Sequence, residues 1–293
     1  MLDTTKLTTQ ENIFLSEEIT VVAPLATPLM TLLLGKGKQK QGSAKIHTWR
    51  EKSLDFGDAT ILEGADPAKF VNSTRAELNN VMEIFAKATA VSGTAQATGS
   101  VKDLFSSEIE DRLAEVKVAI EKKLIQGVKN DGSDGKARKM DGLEAFVGTE
   151  LSAVASIDKL TEKDVRGLAR ALFENGNENA EIYVLVSPDV KEQIDELYKA
   201  NYSYEHKTND FGIVVSSINT NYGVMNFVVD RYAKDTKVIA FDLNAIGIAF
   251  LREPQFEELG KTGDSIKGQV VAEATLEVGS KKAVVALPIG VGE

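Results

Sequence analysis

The clearest hydrophobic pattern in the chain is a helical one near its middle. Between Ser107 and Gln126, apolar residues recur at intervals of three and four positions, which places them on one face of a helix. These residues are Ile109, Leu113, Val116, Ile120 and Leu124. Ser107 and Glu110 have the spacing of a capping box, which predicts where the helix begins. About 20 residues rising about 1.5 Å each span a domain, so we expect a long structural helix here.

A second helix is predicted after residue 160. Thr161 and Asp164 form another capping box, and Gly176 lies just beyond the predicted end. The apolar face consists of Val165, Leu168, Ala169, Leu172 and Phe173. The stretch from 127 to 142, which separates the two helices, is rich in Gly, Asp and basic residues and predicts a surface loop.

Strand patterns dominate the rest of the C-terminal half. The run 181–186 is apolar on both faces, and Ser187-Pro188 after it predicts a helix that reaches about residue 200. A hairpin is predicted for 211–218 and 224–230. From 270 to 278 an apolar set at even positions alternates with a set at odd positions that is polar except for Val271. Shorter strands are predicted at 238–241, 247–251 and 283–287. These patterns predict an α+β fold whose final sheet shares a core with the long helix.

The N-terminal part of the chain is less regular. The first 25 or so residues have no periodicity and few large apolar side chains, so we expect them to dock on something else, such as another subunit. Thr27 as N-cap, Pro28 at the first helical position and Gly35 at C′ predict a short helix over 29–34. The stretch 35–43 reads as a flexible basic linker.

Residues 45–70 predict a projection of two extended pieces. The first covers 45–50, the second passes through Ile61 and Leu62, and turn-forming residues lie between them. A two-stranded ribbon is marginal in water unless something covers one face. Two interpretations stay open on these residues: a local loop folded on its own core, or an arm that contacts another subunit. The segment contains Trp49, the only tryptophan of the chain.

Composition removes much of the enzyme repertoire. The chain has no cysteine and only two histidines, His47 and His206, so we expect no zinc site, disulfide framework or multi-histidine metal centre, and no cofactor. Its formal net charge of -10 argues against sequence-specific nucleic-acid binding. No signal peptide is apparent, and the apolar run from Val21 to Leu34 is interrupted by prolines, so we expect neither export nor a membrane span.

One motif trio resembles the catalytic elements of serine acyl-transferases that act on β-lactams. Its members are Ser156 with Lys159, Ser217 with Asn219, and Lys261 with Gly263. That chemistry needs Ser and Lys one turn apart on a helix, whereas the capping box starts the helix after both residues. We therefore expect no enzyme and keep this class as an alternative. Residues 260–262 partly match a P-loop, and residues 130–141 partly match a calcium loop. Both segments lack residues that these motifs require.

The order of these elements resembles one protein family. Short segments also match it: SGTAQ at 92–96, ARKMDGL at 137–143, LTE at 160–162, and the runs 251–264 and 273–277. Together they resemble the major capsid (major head) proteins of tailed bacteriophages, whose Hong Kong-phage-type fold is shared with herpesvirus capsids and encapsulins. The likeness covers nearly the whole chain.

The resemblance implies a division of the chain into five parts. These are an N-terminal arm over 1–43, an extended loop (E-loop) over 44–72, a peripheral domain with the spine helix over 73–148, an axial domain over 149–234, and late strands over 235–293 that return to the peripheral domain. It also implies self-assembly into pentamers and hexamers of an icosahedral virion head around double-stranded DNA, assembled in the host cytoplasm.

Further expectations concern partners. The chain starts at a Met without a long helical extension, which implies a separate scaffolding protein or none; portal and decoration proteins are further possible partners. Some relatives join subunits by Lys–Asn isopeptide bonds, but Lys52 and Lys69 have no identifiable acceptor, so we expect an uncross-linked shell.

We hypothesise that four residues of the ribbon contact an adjacent subunit: His47, Trp49, Arg50 and Glu51. The nearest alternative within the fold is an encapsulin-like compartment. Outside the fold, the alternatives are the acyl-transferase and a monomeric binding module.

Overall fold

The structure is a computed structural model. It describes residues 26–54, 57, 60, 63–64, 72–98, 104–177, 180–199, 205–208, 214–261 and 263–290. The helices are α1 Pro28–Gly35, α2 Gly93–Thr98, α3 Leu104–Gln126, α4 Glu162–Glu174 and α5 Pro188–Lys199. Short 3-10 turns cover Leu143–Phe146, Ile157–Lys159, Leu243–Ala245 and Lys281–Ala283.

The strands form two sheets and one separate ribbon. They are β1 Gln39–Gln41, β2 Ile46–Ser53, β3 Thr74–Val81, β4 Glu83–Ser92, β5 Thr149–Glu150, β6 Ile182–Val186, β7 Glu205–Thr208, β8 Val214–Thr220, β9 Gly223–Val229, β10 Lys237–Asp242, β11 Ile246–Leu259, β12 Ser265–Val278 and β13 Val284–Pro288. The four-stranded sheet has the order β1-β11-β12-β4, and the seven-stranded sheet has the order β5-β13-β10-β6-β9-β8-β7. Strands β2 and β3 pair only with each other and form the ribbon.

Two hydrophobic cores share the seven-stranded sheet. The first core joins α1, α3 and one face of each sheet, and the second lies between the other face of the seven-stranded sheet and helices α4 and α5. Strand β10 shows how this works, because Ile239 and Phe241 enter the first core while Val238 and Ala240 enter the second. Successive side chains of a strand point to opposite faces, so a strand apolar at every position is buried on both sides.

The late strands divide between the two sheets. Strand β11 pairs with β12, and β12 pairs in turn with β4. Strands β10 and β13 instead pair with each other inside the seven-stranded sheet, beside β6. The assignment of 235–293 to the peripheral domain stays a prediction. Both faces of β10 are apolar, and the seven-stranded sheet has a hydrophobic core on each side.

Helix α3 confirms the predicted spine helix but begins earlier. Its first residue is Leu104, so Ser107 lies inside the helix and the predicted capping box is wrong. The predicted apolar face is confirmed, with Val116, Ile120 and Leu124 fully buried. Helix α3 covers one face of the four-stranded sheet. Among the described helices, none is both long and apolar enough to cross a membrane.

Local signals describe α4 well. Its capping box is present, because Asp164 N–H donates to the Thr161 hydroxyl while Thr161 N–H donates to Asp164. Gly176 follows the helix with φ +93°, a left-handed conformation that suits glycine. Phe173 is the exception on the predicted face, since 43% of it stays exposed.

The predicted linker at 35–43 is instead an ordered part of the fold. Strand β1 pairs in parallel with β11, from Gln39 beside Ile248 to Gln41 beside Phe250. Lysines of this segment bond to side chains distant in sequence; Lys36, for example, forms an ion pair with Glu181 at 2.8 Å. The prediction of a flexible linker is therefore wrong, because tertiary partners supply what the local sequence lacks.

Candidate functional site

The ribbon is the candidate functional site, because it extends from the body as its own two-stranded sheet. Its eight antiparallel pairs run from Ile46 beside Val81 to Ser53 beside Thr74. The sequence predicts the second strand near Ile61 and Leu62, which lie outside the described residues. The partner of β2 is β3, which the sequence analysis missed because TRAELNNV is too polar to read as a strand.

One face of the ribbon is bonded to the body of the same chain. The Trp49 indole Nε1 donates to the Val278 carbonyl at 2.7 Å, and its ring centroid lies 6.0 Å from that of Phe146. Two residues further along β2, Glu51 Oε1 accepts a hydrogen bond from the Ser280 hydroxyl at 2.6 Å. Since residues two apart share a face of a strand, His47, Trp49 and Glu51 all point towards the end of β12.

A three-residue polar cluster holds the base of this face. Glu277 receives His47 Nε2 on one carboxylate oxygen and Lys40 Nζ on the other, both at 2.7 Å. Burial acts to raise the pKa of Glu277, but the hydrogen bonds from His47 and Lys40 outweigh it, so the pKa lies below its usual value. Glu277 therefore stays ionised and ties β1 and β2 to β12.

Asn80 anchors the other strand of the ribbon and is completely buried. Its amide nitrogen donates to the carbonyls of Asp141 at 3.0 Å and Leu276 at 2.9 Å. Its amide oxygen accepts from the backbone N–H groups of Asp141 and Val81, each at 2.9 Å. A side-chain amide offers two donors and two acceptor sites, so all four are used. The adjacent Asn79, by contrast, is exposed.

The outer face of the ribbon has a different character. Ile46 is 48% exposed, and Thr48, Arg50 and Lys52 of β2 are exposed as well. Opposite them on β3 lie Asn79, Glu77 and Arg75. Arg50 faces Glu77 across the two strands. It forms no ion pair with any described residue of the chain. This face therefore carries an excess of positive charge on a chain whose net charge is -10.

The four predicted contact residues divide between the two faces. His47, Trp49 and Glu51 contact their own chain, and Arg50 lies on the open outer face. Contact with an adjacent subunit stays a prediction for all four. Alternation along β2 was the signal in the sequence that separates these two groups.

Glu121 is a buried polar residue that the sequence analysis missed. It lies on α3 and accepts hydrogen bonds from Leu29 N–H at 2.6 Å and Met30 N–H at 2.8 Å, at the start of α1. Thr27 is the N-cap residue, as predicted, but its side chain makes no bond to the helix N-terminus. Glu121 also forms a buried side-chain pair with Asp230, and burial together with this neighbour raises the pKa of Glu121 to about 9. The pair therefore holds a proton.

The motifs set aside in the sequence analysis do not form an active site in the described residues. Ser156 precedes a 3-10 turn that contains Lys159, and α4 starts only after both. Ser217 lies on β8 of the seven-stranded sheet, whereas Lys261 lies between β11 and β12 of the other sheet. No group of three or more His, Asp or Glu side chains within the described ranges could hold a metal ion.

Known structures with this architecture are capsid and compartment shells. The capsid of the native GTA particle has a TM-score of 0.69 and 12% identity, over 96% of this chain and 95% of that one. The capsid of Cyanophage A-1(L) has a TM-score of 0.66 and 14% identity, over 98% of both chains. The SrpI encapsulin of Synechococcus elongatus PCC 7942 has a TM-score of 0.64 and 13% identity, over 92% of this chain and 91% of that one.

The sequence itself decides between phage capsids and other shells. A search of curated proteins gave no match. The family model for the SU10 major capsid protein matches residues 3–289, nearly the whole chain. The mixed helix and sheet architecture is that of phage capsid structures, as the resemblance implied. The chain therefore belongs to the SU10 major capsid protein family and is a phage major capsid protein, a structural component of the virion.

Proposed function

We propose that this chain assembles into pentamers and hexamers that tile an icosahedral head around double-stranded DNA, in the cytoplasm of the host cell, and that it performs no chemistry. The observation that carries the proposal is the ribbon, which has one face bonded to its own body and one face exposed. A ribbon of two strands is marginal in water by itself, and the described part of the chain covers only the inner face of this one. An adjacent copy of the chain supplies the cover for the outer face.

Charge supports contact between the ribbon and a copy of the same chain. The outer face presents Arg50, Lys52 and Arg75 against the single acidic Glu77. The chain as a whole has 44 acidic and 34 basic residues, so its average surface attracts such a face. Complementary charges at the edge of an interface speed association and fix its register more than they add affinity. Contacts of this heterologous kind close into rings when the rotation between copies permits.

The same net charge suits a container for DNA. A surface that repels phosphate on average limits adhesion of packaged DNA to the wall, and sequence-specific binding is not required. Separate scaffolding, portal or decoration proteins complete the proposed particle. In this proposal Lys52 acts through its charge on the outer face and the shell is not covalently cross-linked.

The experiment is electron microscopy of the purified, expressed chain, with Arg50→Glu as the test variant. We expect closed shells from the native sequence and loss of most shells from Arg50→Glu, while the stability of the soluble chain falls by less than about 1 kcal/mol because residue 50 then faces Glu77 with like charge. Arg50→Lys is the matched control, since it keeps the charge and should keep the shells. Shells in normal yield from Arg50→Glu would contradict the role of the outer face.

Trp49→Ala tests the inner face in the same assay. Trp49 positions the ribbon through its bond to Val278 and its packing beside Phe146. Loosening this anchor should weaken assembly more than it weakens folding of the soluble chain. Equal losses of assembly and of folding would contradict this prediction.

An encapsulin-like compartment is the second candidate, favoured by the likeness of the fold to the SrpI encapsulin. The nucleic-acid content of native particles distinguishes the two. Particles that enclose double-stranded DNA support a phage head, and particles that enclose protein cargo support a compartment. A single small species at high concentration in sedimentation would contradict both.

A further inference from the structure

Within the residues that the structure describes, one edge of the four-stranded sheet is open along most of its length. Strands β3 and β4 form an almost continuous strand, with only Met82 between them. Met82 N–H donates to the Lys45 carbonyl at 2.9 Å, on the side where β2 lies. Backbone groups of successive residues in a strand point to opposite sides. The backbone groups of the residues on either side of Met82 therefore point towards β12. Strands β2 and β12 lie on opposite sides of this long strand.

The hydrogen-bond alternation identifies which residues face the open side. Gly93 N–H donates to the Asp264 carbonyl at 3.1 Å, and the register of β4 with β12 continues from that point without a shift. Odd-numbered residues of β4 therefore bond to β12. The even-numbered residues Ile84, Ala86, Ala88 and Ala90 direct both N–H and C=O away from β12. Within the described part of the chain, these backbone groups have no hydrogen-bond partner.

Such an edge is a template for strand addition, and proteins usually protect it. The common devices are proline, a bulge or a charged side chain at the edge. Strand β4, with the sequence EIFAKATAVS, has no proline, and its pairing with β12 has no bulge. Its one lysine, Lys87, is odd-numbered and lies 3.6 Å from Glu115 of α3, on the helix-covered face. The open edge is therefore unprotected.

We propose that the β4 edge pairs antiparallel with the β4 edge of a second copy of this chain, about a twofold axis at Ala88. The proposal rests on the proposed function only in that assembly brings copies together. The pairing would join two four-stranded sheets into one that is continuous across both copies. An interface of this isologous kind uses the same surface patch on each copy, and it differs from the heterologous contact made by the ribbon.

Sequence and geometry select this register. With the axis at Ala88, Ala86 pairs with Ala90 and Lys87 lies opposite Thr89. An axis at Lys87 would instead put two lysines directly opposite each other, which is unfavourable. An axis at Ala86 would run the partner strand past Met82, where Lys45 already occupies the edge. Of these three registers, the one at Ala88 uses the open part of the edge and avoids both conflicts.

The pairing also covers apolar surface. Ile84 is 48% exposed, and Ala86, Ala88 and Ala90 are exposed beside it on the outer face of the sheet. In the proposed register Ala88 lies beside Ala88 of the second copy and Ala86 beside Ala90, while Ile84 lies beside Ser92. Main-chain hydrogen bonds supply the affinity in strand addition, and small side chains allow close approach.

Single-cysteine variants test the register directly, because the full chain has no cysteine of its own. In the proposed pair, the two Cα atoms of residue 88 lie about 5.5 Å apart, which a disulfide can span. The two copies of residue 86 lie about 13 Å apart, too far for a disulfide. Ala88→Cys should therefore give at least about tenfold more disulfide dimer on mild oxidation than Ala86→Cys. A mixture of Ala86→Cys and Ala90→Cys chains should cross-link again.

The measurement is made on assembled particles and on the concentrated soluble chain, with non-reducing gels. Dimer in Ala88→Cys but not in Ala86→Cys, in either sample, supports the proposal. Shells that form normally without the Ala88→Cys dimer overturn the proposal and leave the proposed function intact. If no variant forms shells, the proposed function fails, and the soluble sample alone decides the pairing: absence of the dimer there overturns it.

A disruptive variant gives an independent readout. Ala88→Lys puts two positive charges opposite each other at the axis, while residue 88 directs no backbone group towards β12. We expect unchanged thermal stability of the soluble chain and at least about a tenfold loss of closed shells. Ala88→Ser is the matched control and should assemble. Normal shell yield from Ala88→Lys would overturn the proposal.

Discussion

Helices α4 and α1 satisfy their first N–H groups in opposite ways. At α4 the cap comes from the helix itself, through Thr161 and Asp164 three residues later. At α1 the N-cap residue Thr27 makes no such bond, and the carboxylate of Glu121 replaces it from 91 and 92 residues away. Both arrangements meet the same requirement of unpaired N–H groups at a helix start. The first can be recognised from local sequence, and the second exists only after the chain has folded.

The same contrast separates two larger regions. The lobe that contains α4, β6 and α5 is built from elements whose own patterns predict them. The N-terminal region, with α1, β1 and the ribbon, is held by single buried polar residues that come from elsewhere in the chain. We therefore expect the replacement of one of these polar residues by alanine to lower the free energy of unfolding more than the loss of the local cap of α4 does. The following predictions, in order of decreasing effect, test this difference.

Asn80→Ala should have the largest effect. It removes four hydrogen bonds and leaves buried backbone groups of Asp141, Val81 and Leu276 without partners. Unsatisfied buried groups cost about 1–3 kcal/mol each, so we expect a loss of about 4 kcal/mol in the free energy of unfolding. Urea unfolding of the soluble chain measures it. Asn79→Ala, at the exposed neighbouring position, should change stability by less than about 1 kcal/mol. Equal effects at the two positions would contradict the anchor role of Asn80.

Glu121→Ala should rank second, with a loss of about 3 kcal/mol, because two N–H groups at the buried start of α1 lose their acceptor. Glu110→Ala, at an exposed position of the same helix, is the control and should be nearly neutral. Hydrogen exchange at Leu29 and Met30 should rise strongly in the first variant only. Protection retained at these two amides would show that Glu121 is not the cap.

Stability should also depend on pH through Glu121. Its pKa is about 9 in the folded chain and near 4.5 when unfolded, so the folded state holds the extra proton between these values. The stabilising contribution is complete below about pH 4.5, declines as pH rises towards 9, and is gone above it. The slope is at most about 1.4 kcal/mol per pH unit. Glu121→Gln, which mimics the protonated acid, should flatten the curve between pH 6 and 9 in urea titrations at several pH values. An unchanged slope in this variant would contradict the assignment.

Thr161→Ala should have the smallest effect, about 1 kcal/mol, the usual value of an exposed N-cap. Thr161→Ser keeps the hydroxyl and should restore stability. The same urea titrations measure both variants. A loss for Thr161→Ala as large as that of Glu121→Ala would remove the proposed difference between the two regions.

The sequence predicted elements well wherever a local pattern carried enough information. The apolar face of α3, the capping box of α4 and the strand predicted from the alternation in β12 are all confirmed. The sequence predicted elements poorly where the partner that stabilises them is distant along the chain. Strand β3 is polar along most of its length, and the buried Asn80 near its end bonds to backbone groups distant in sequence. The basic run of β1 becomes a strand because β11 is alongside it.

The candidate site follows the same division. The sequence located Trp49 and its neighbours on a projecting ribbon, and the resemblance supplied the capsid interpretation. Alternation within β2 implied two faces, but only the structure assigned one of them to the body of the chain, through Val278, Glu277 and Ser280.

The amino-acid sequence by itself determined the α+β class, the spine helix, the elements α4, β6 and α5, and membership of the capsid family, because periodicity and capping act within a few residues. The tertiary structure decided which residues form hydrogen bonds with the polar groups of the N-terminal region, which strands share a sheet, and which edge of β4 stays open. These depend on partners that are far apart in the sequence, and burial makes an unpaired polar group too costly to leave unsatisfied.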